Sequence, residues 1–168
     1  EALRVGSLVH DKCEELLNGE KLTIENDSEV QKGVISFCQW FDEYKPKVIA
    51  VEEVLYSKTL KQGKLVCAFA GRCDLVVEMD GETWMLDLKT SKSLEDYTYV
   101  IQLSMYKMLW DSLHPDNQID RMALVHCKKN FNGAKPTART KLFKEVKFDK
   151  VAVESALNLY YRYEEAFD

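Results

Sequence analysis

Apolar side chains recur every three or four residues through the first quarter of the chain, which is the period of a helix with one buried face. Two such stretches, residues 2–18 and 27–44, predict helices. Gly19 follows the first stretch, and either Asp27 or Ser28 can cap the second. The chain therefore opens with two amphipathic helices.

The next stretch is rich in β-branched residues, which favours strands. Residues 48–56 and 65–77 each predict a strand, with Gly71 as a bend or bulge inside the second. Asp80-Gly81 has the composition of a two-residue hairpin turn, and residues 84–88 predict the strand that follows it. Three consecutive antiparallel strands are expected.

The last part of the chain returns to the helical period and adds further strands. Residues 97–113 predict a helix, and residues 122–127 predict a strand that can join the sheet in parallel by a crossover. Residues 142–148 are a candidate fifth strand, and residues 151–166, capped by Asp149, predict a final helix. The residues expected on the packed face of this helix are Val153, Ala156, Leu157, Tyr160 and Tyr161. The order ααβββαβ(β)α indicates one α/β (α+β) domain over residues 1–168, with a mixed sheet flanked by helices.

Composition narrows the class of protein. The 168 residues are 46% hydrophobic, which is enough for a packed core, and the net charge of -5 argues against nucleic-acid binding by bulk charge. We see neither a secretion signal nor an apolar run of membrane-spanning length, so we expect an intracellular protein without membrane contact. The five cysteines form no CxxC pair and are expected to be reduced structural thiols.

The stretch MLDLKTSK, residues 85–92, carries the candidate chemistry. Asp87 and Lys89 are two residues apart on a strand, so their side chains share a face. A surface ion pair is the alternative explanation, but the apolar flanks predict a buried strand. Asp74 lies as far before the hairpin turn as Asp87 lies after it, so pairing places the two aspartates nearly opposite each other. Adjacent buried carboxylates repel unless a proton or a cation lies between them, and a divalent cation with oxygen ligands suits the site.

Four motifs in order resemble the PD-(D/E)XK nuclease superfamily. Gly71-Arg72-Cys73-Asp74 with Asp87-Leu88-Lys89 resembles its GxxD…(D/E)xK signature. The stretch QLSMY, residues 102–106, is similar to the QxxxY motif of the RecB-like branch, and GSLVH, residues 6–10, is similar to that branch's histidine motif. Glu52 falls where the family often has an acidic residue. The resemblance covers residues 6–106 and implies a restriction-endonuclease-like core.

The resemblance also implies a role for each motif residue. Asp74 and Asp87 would hold Mg²⁺ or Mn²⁺, with His10 and the Leu88 carbonyl as further ligands and Glu52 as a supporting acid. The residues implied to orient the attacking water or the scissile phosphate are Lys89, Gln102 and Tyr106. Without the motif, His10 would be interpreted as an ordinary helix histidine, Gln102 as a solvated residue and Tyr106 as a core aromatic.

Cysteine usage separates this chain from one part of the RecB-like branch. Members with an iron–sulfur cluster carry three cysteines near the C-terminus, whereas only Cys127 follows the QxxxY motif here. We therefore expect no iron–sulfur cluster. The resemblance is to cluster-free exonucleases, which are found in phages and in mitochondria, so a cytoplasmic, host-cell or mitochondrial location is expected.

A basic segment is the candidate DNA-binding element. Residues 121–144 contain seven lysines and arginines and no acidic residue. Lysine and arginine contact phosphates, and an aromatic residue can stack on a base, although a solvated loop is the alternative. The residues expected to bind DNA are Lys128, Lys129, Phe131, Lys135, Arg139 and Lys141. A second basic turn, with Lys58, Lys61 and Lys64, could contact the other side of a strand.

These features predict a metal-dependent DNA exonuclease that acts on single-stranded DNA or duplex ends in recombination, repair or replication. Recombination, helicase or replication proteins are its expected partners, and the sequence leaves the oligomeric state open. A structure-selective or flap endonuclease on the same fold is the first alternative. A non-catalytic DNA-binding module is the second.

Overall fold

The computed structural model describes residues 2–23, 26–61 and 64–167, except the side chains of residues 58–61, 64–68, 164, 165 and 167. The helices and strands follow the predicted order. They are α1 (Ala2–Leu17), α2 (Ser28–Tyr44), β1 (Lys47–Lys61), β2 (Lys64–Met79), β3 (Glu82–Lys89), α3 (Tyr97–Leu113), β4 (Arg121–His126), β5 (Phe143–Val146) and α4 (Lys150–Phe167).

The five strands form one mixed sheet in the order β1-β2-β3-β4-β5. Neighbouring strands are antiparallel except β3 and β4, which run parallel because α3 crosses over between them. The β2–β3 hairpin turns at Asp80 and Gly81, both with positive φ, as a primed turn requires. The predicted fold class, the order of the elements along the chain and the parallel crossover are therefore confirmed.

The boundaries differ from prediction mainly in the first two strands. We predicted strands over residues 48–56 and 65–77, whereas β1 continues to Lys61 and β2 starts at Lys64. Polar residues dominate the added stretch, so hydrophobic pattern alone could not extend the strands. The side chains of Lys58, Lys61 and Lys64, the predicted second basic turn, lie outside the described residues.

Helices cover both faces of the sheet and make two apolar layers. Helices α1 and α2 pack on one face, where Val9, Phe37 and Trp40 meet Leu86 and other strand residues. Helix α3 packs on the other face through Leu103 and Trp110. Strand β3 is buried on both sides from Trp84 to Leu88, as its apolar flanks predicted. The charged side chain of Asp87, in the middle of this stretch, is therefore held inside the protein.

Carboxylate caps fix where the helices begin. Asp27 accepts hydrogen bonds from Glu29 N and Val30 N at the start of α2, and it also pairs with Arg4 of α1 at 2.6 Å. Asp96 accepts a bond from Thr98 N at the start of α3. Seven residues separate the end of β3 from the start of α3.

Helix α4 departs from the predicted packing. Asp149 accepts a hydrogen bond from Ala152 N, as expected of a cap, and Val153 is buried. Tyr160 and Tyr161, predicted on the packed face, are instead 52% and 41% exposed.

The described helices include none that is long and apolar enough to cross a membrane.

Candidate active site

Two aspartates occupy neighbouring positions at the end of the β2–β3 ladder. Leu75 pairs with Leu86 in this ladder. Asp74 and Asp87 are the next residues along the two strands. Asp74 Oδ2 accepts a hydrogen bond from the backbone N–H of Leu88 at 2.7 Å, across the two strands. Asp87 is 2% exposed. Two carboxyl groups thus lie side by side at one end of the sheet.

Burial raises the pKa of both carboxyl groups. At Asp74 loss of solvation raises the pKa most and repulsion by Asp87 adds to it, while the hydrogen bond from Leu88 N lowers it. At Asp87 loss of solvation again raises the pKa most, and the ammonium of Lys89 opposes it. The pair therefore retains a proton at a pH where ordinary aspartates are ionised, unless a cation replaces that proton.

Lys89 is held beside Asp87 by three groups. Its Nζ atom lies 2.6 Å from Asp87 Oδ2, and it donates a hydrogen bond to Gln102 Oε1 at 3.1 Å. Its ammonium also lies 4.7 Å from the centroid of the Tyr99 ring. The contact with Asp87 is a close ion pair between a lysine ammonium and a buried carboxylate. The position of the Lys89 ammonium is thus fixed by an acid, an amide and an aromatic ring.

Helix α3 supplies a second residue, Tyr106, that is linked to Lys89 through Gln102. Gln102 and Tyr106 are four residues apart on one helix face, and Gln102 Nε2 donates a hydrogen bond to Tyr106 Oη at 3.1 Å. The Tyr106 ring lies against Gly71 of β2, where an added methyl group would overlap the ring. A glycine at this position therefore gives Tyr106 room to reach the site.

Helix α1 contributes an imidazole from the other side. His10 Nδ1 lies 3.6 Å from Asp74 Oδ2, and ligand atoms of His10, Glu52 and Asp74 all lie within 4.8 Å of one another. The helix can approach the end of β3 because it has Gly6 there, whose added methyl would lie 3.2 Å from Thr90 Oγ1. One nitrogen and two carboxylates thus converge from three elements.

Glu52 reaches this cluster through an unusual backbone conformation. Its φ of +50° lies in the left-handed region, although the residue is inside β1, and such a conformation costs about 1–3 kcal/mol. Glu52 Oε2 is 2.6 Å from Arg72 Nε on the neighbouring strand. Burial is the main cause that raises the Glu52 pKa, and Arg72 opposes it. The surrounding structure thus holds a costly conformation and a partly buried carboxylate at the site.

His10, Glu52, Asp74 and Tyr106 line one open cleft of about 490 Å³, together with Arg72. Among the described residues, Asp87, Lys89 and Gln102 lie outside its lining. Its lining residues include four carboxylates, at Asp11, Glu14, Glu52 and Asp74. The sequence matches the PD-(D/E)XK nuclease superfamily over residues 4–162. The chain belongs to this superfamily. As a superfamily member it is a nuclease, with DNA as the implied substrate.

Solved structures with a similar fold are distant in sequence. A "Putative exonuclease" from Eubacterium rectale is 14% identical with a TM-score of 0.53, and the match covers 92% of this chain and 63% of that one. This nuclease chain therefore spans less than two thirds of that relative. SSO0001 is 13% identical with a TM-score of 0.46, covering 92% of this chain and 82% of that one. No curated protein sequence matches significantly.

The donor set of this nuclease fits the divalent metal ions that its superfamily uses. Carboxylates and one imidazole are ligands that suit Mg²⁺ or Mn²⁺. Asp87 lies outside the cluster of His10, Glu52 and Asp74, although it adjoins Asp74. Leu88 contributes its N–H to Asp74, and its side chain is buried in the core.

The predicted DNA-binding residues lie between β4 and β5 and differ in availability. Lys129 Nζ is 3.1 Å from Glu29 Oε2, and the Phe131 ring faces the Lys32 ammonium at 5.4 Å. These two side chains are therefore engaged with α2. Lys128 is half-buried. The exposed basic residues of this segment are Lys135, Arg139 and Lys141.

Sequence reasoning missed Arg72 and Tyr99. Arg72 is two residues before Asp74 on one strand, so the two side chains share a face. This spacing was a signal in the sequence that could have identified Arg72. Tyr99 contacts Lys89 because the loop after β3 folds back, and its hydroxyl donates to Ser91 Oγ at 3.2 Å. Its sequence position gave no comparable signal, because loop geometry determines the contact.

Proposed function

We propose that this protein is a DNA exonuclease of the RecB-like branch that depends on Mg²⁺ or Mn²⁺. The observation that carries the proposal is the convergence of Asp74, Asp87 and Lys89 at one end of the sheet, with Gln102 in contact with Lys89. An isolated surface ion pair would be exposed, whereas Asp87 is almost fully buried. Burying two carboxylates and an ammonium is costly and suggests a functional role.

In this proposal the carboxylates and the imidazole hold the cation. Asp74, Asp87 and the Leu88 carbonyl supply oxygen ligands, His10 supplies nitrogen, and Glu52 supports them. A bound divalent cation would polarise the scissile phosphate and stabilise the negative charge that develops on it. Because the raised carboxyl pKa values keep a proton on the pair, cation binding would release that proton and would strengthen as pH rises.

Lys89, Gln102 and Tyr106 act as the positioning chain. Lys89 has its ammonium fixed by Asp87 and Gln102, so it can hold the attacking water or a phosphate oxygen in one orientation. Gln102 keeps that orientation because Tyr106 occupies its amide nitrogen. Such a fixed donor stabilises charge without reorganising during the reaction.

End-dependent cleavage is the finer part of the proposal. The RecB-like motifs and the name of the Eubacterium rectale relative support exonuclease action. The exposed Lys135, Arg139 and Lys141 offer phosphate contacts to an incoming strand. A structure-selective endonuclease would use the same catalytic residues, so the choice rests on the DNA ends that the enzyme needs.

Digestion of matched linear and circular DNA tests the proposal. Linear single strands labelled at either end, linear duplexes and a circular single strand are incubated with Mg²⁺, Mn²⁺ or EDTA. We expect mononucleotides or short products from linear DNA, an intact circle and no cleavage in EDTA. Asp87→Ala and Lys89→Ala should each lower the rate by about 10²-fold or more, whereas Lys47→Ala, at an exposed ion pair on β1, should not.

Each outcome has a distinct meaning for the proposal. Cleavage of the circle would replace exonuclease by endonuclease action. Cleavage with undiminished rates in both Asp87→Ala and Lys89→Ala would contradict the assigned roles. No cleavage by the wild-type protein with either cation would favour a non-catalytic DNA-binding module.

A further inference from the structure

The catalytic cleft has a charge imbalance that bears on substrate binding. Among the described cleft-lining residues, Arg72 is the single lysine or arginine, and it faces four carboxylates. A DNA strand brings a negative charge with every phosphate. The strand therefore meets repulsion in the cleft unless cations offset it, and Arg72 is the side chain placed to do so.

In this structure Arg72 is occupied by Glu52. Arg72 Nε lies 2.6 Å from Glu52 Oε2, and their side chains are 65% and 14% exposed. The guanidinium thus sits at the mouth of the cleft with solvent access, while its partner lies deeper. A guanidinium has five N–H donors in a planar fork, which also matches the oxygens of a phosphate.

The partner of Arg72 belongs to the cluster that fits a cation. Ligand atoms of Glu52, His10 and Asp74 lie within 4.8 Å of one another. A divalent cation in this cluster would neutralise the Glu52 carboxylate and compete with Arg72 for it. Arg72 would then lose its counter-ion at the cleft mouth, where a DNA phosphate can replace it.

We propose that Arg72 is a phosphate-binding residue for the DNA strand, and that Glu52 withholds it until a divalent cation occupies the cluster. This coupling rests on the proposed nuclease function, because it takes DNA as the ligand and a divalent cation as the trigger. Cation and DNA binding are then cooperative, and each increases the affinity for the other.

Fluorescence anisotropy of a labelled single-stranded oligonucleotide measures this coupling without turnover. Titrations are made in EDTA and in Ca²⁺ at several salt concentrations, and denaturing gels verify that the oligonucleotide stays intact. For the wild-type protein we expect Ca²⁺ to raise affinity about tenfold, and Arg72→Ala to reduce that gain to about twofold. The salt slope of the variant should be smaller by about 0.7, the contribution of one phosphate contact on a single strand. Arg72→Gln serves as a second variant if Arg72→Ala lowers the melting temperature.

Lys47→Ala is the matched control. Lys47 also forms an ion pair between β1 and β2, at 3.2 Å from Glu78 Oε2, but it lies outside the cleft lining. The Lys47→Ala substitution removes one positive charge, as Arg72→Ala does, and should keep the full increase in DNA affinity that Ca²⁺ produces. An equal loss in the two variants would mean that net charge, and not the position of Arg72, determines the affinity.

Glu52→Gln isolates the withholding step. In EDTA this variant should bind DNA about three- to tenfold more tightly than the wild type, because Arg72 no longer has a charged partner. The gain should disappear in the double variant Glu52→Gln/Arg72→Ala. A gain that persists there would come from removing a negative charge alone and would overturn the withholding role.

Failure of this inference differs from failure of the proposed function. A wild-type protein that digests DNA, with Arg72→Ala retaining the whole Ca²⁺ gain, would overturn the role of Arg72 and leave the nuclease intact. A wild-type protein that neither digests DNA with Mg²⁺ or Mn²⁺ nor binds it in Ca²⁺ would overturn both.

Discussion

At the scale of single residues, the site depends on where bulk is absent as much as on where charge is present. Gly71 leaves the space in which the Tyr106 ring lies, and Tyr106 in turn holds Gln102. The hydrogen-bonded chain that ends at Lys89 therefore starts from a position with no side chain. Such a residue contributes to a site without contacting substrate.

Gly71→Ala tests this dependence. The added methyl group would displace the Tyr106 ring, so we expect a loss of about 1–3 kcal/mol in unfolding free energy and a lower rate of DNA cleavage. In a Tyr106→Leu background the smaller side chain removes the overlap, and the same substitution should cost clearly less. Urea denaturation of the four proteins measures the difference. Equal costs in both backgrounds would contradict the steric explanation.

The raised carboxyl pKa values predict a dependence of stability on pH. When folding raises the pKa of a carboxyl group, the folded protein binds that proton more tightly than the unfolded protein does. The metal-free protein should therefore lose stability as pH rises above the ordinary aspartate range. Asp74→Asn removes one ionisable group and keeps an oxygen that can accept from Leu88 N. We expect this variant to gain about 1–3 kcal/mol over the wild type at pH 8 and less at pH 5.

Thermal unfolding in EDTA and in Mn²⁺ at the two pH values provides the measurement. Mn²⁺ should raise the wild-type melting temperature more at pH 8 than at pH 5, because cation binding needs ionised carboxylates. Asp74→Asn should show little Mn²⁺ effect at either pH. A larger Mn²⁺ effect at the lower pH would reverse the expected sign and refute the assignment.

At the scale of elements, helix α3 has two tasks that begin at its cap. It fills the crossover between parallel β3 and β4, and it presents Gln102 and Tyr106 to the site. Asp96 fixes its first turn by accepting hydrogen bonds from Thr98 N and Thr98 Oγ1. The start of α3 should therefore influence the site as well as stability.

Asp96→Ala should lower the melting temperature by about 2–4 °C and lower the cleavage rate more than an equally destabilising change elsewhere. Asp27→Ala, at the cap of α2, is the comparison because α2 contributes none of the proposed catalytic residues. Asp96→Ser should restore both properties. Differential scanning fluorimetry and initial cleavage rates separate the two effects, and equal rate losses at both caps would argue against this view.

The elements that could be predicted from the sequence are those with a strong local signal. The Asp80-Gly81 turn determined the register, and from that register the neighbouring positions of Asp74 and Asp87 followed. Two features escaped because they depend on distant contacts. The predicted packing of α4 was wrong at Tyr160 and Tyr161, which are exposed although their spacing fits a buried stripe. The pairing of Lys129 with Glu29 of α2 depends on how a loop folds against a helix.

At the scale of the whole molecule, charge is unevenly distributed. The protein has a net charge of -5, yet Lys135, Arg139 and Lys141 are exposed on the segment between β4 and β5. That segment follows β4, whose last residues pair with the end of β3 that carries Lys89. Positive charge therefore lies on the segment that follows β4, while the residues that line the cleft are mainly acidic.

The triple variant Lys135→Ala/Arg139→Ala/Lys141→Ala measures the contribution of this segment. We expect weaker binding of single-stranded DNA and a salt slope that is smaller by about two, since each phosphate contact contributes about 0.7 for single strands. Lys129→Ala should change the slope less, because Glu29 already neutralises Lys129. Anisotropy titrations across salt concentrations provide the values, and an unchanged slope in the triple variant would exclude this segment as a phosphate contact.

The route by which the cleft is assembled has a consequence for chain synthesis. His10 is made early, but its partners Glu52 and Asp74 come from strands that are synthesised later. Lys89 and Gln102 follow later still. A chain that ends before Gln102 therefore lacks part of the proposed site. In the proposed exonuclease, cleavage therefore requires strands β1 to β3 and helix α3 to be folded together.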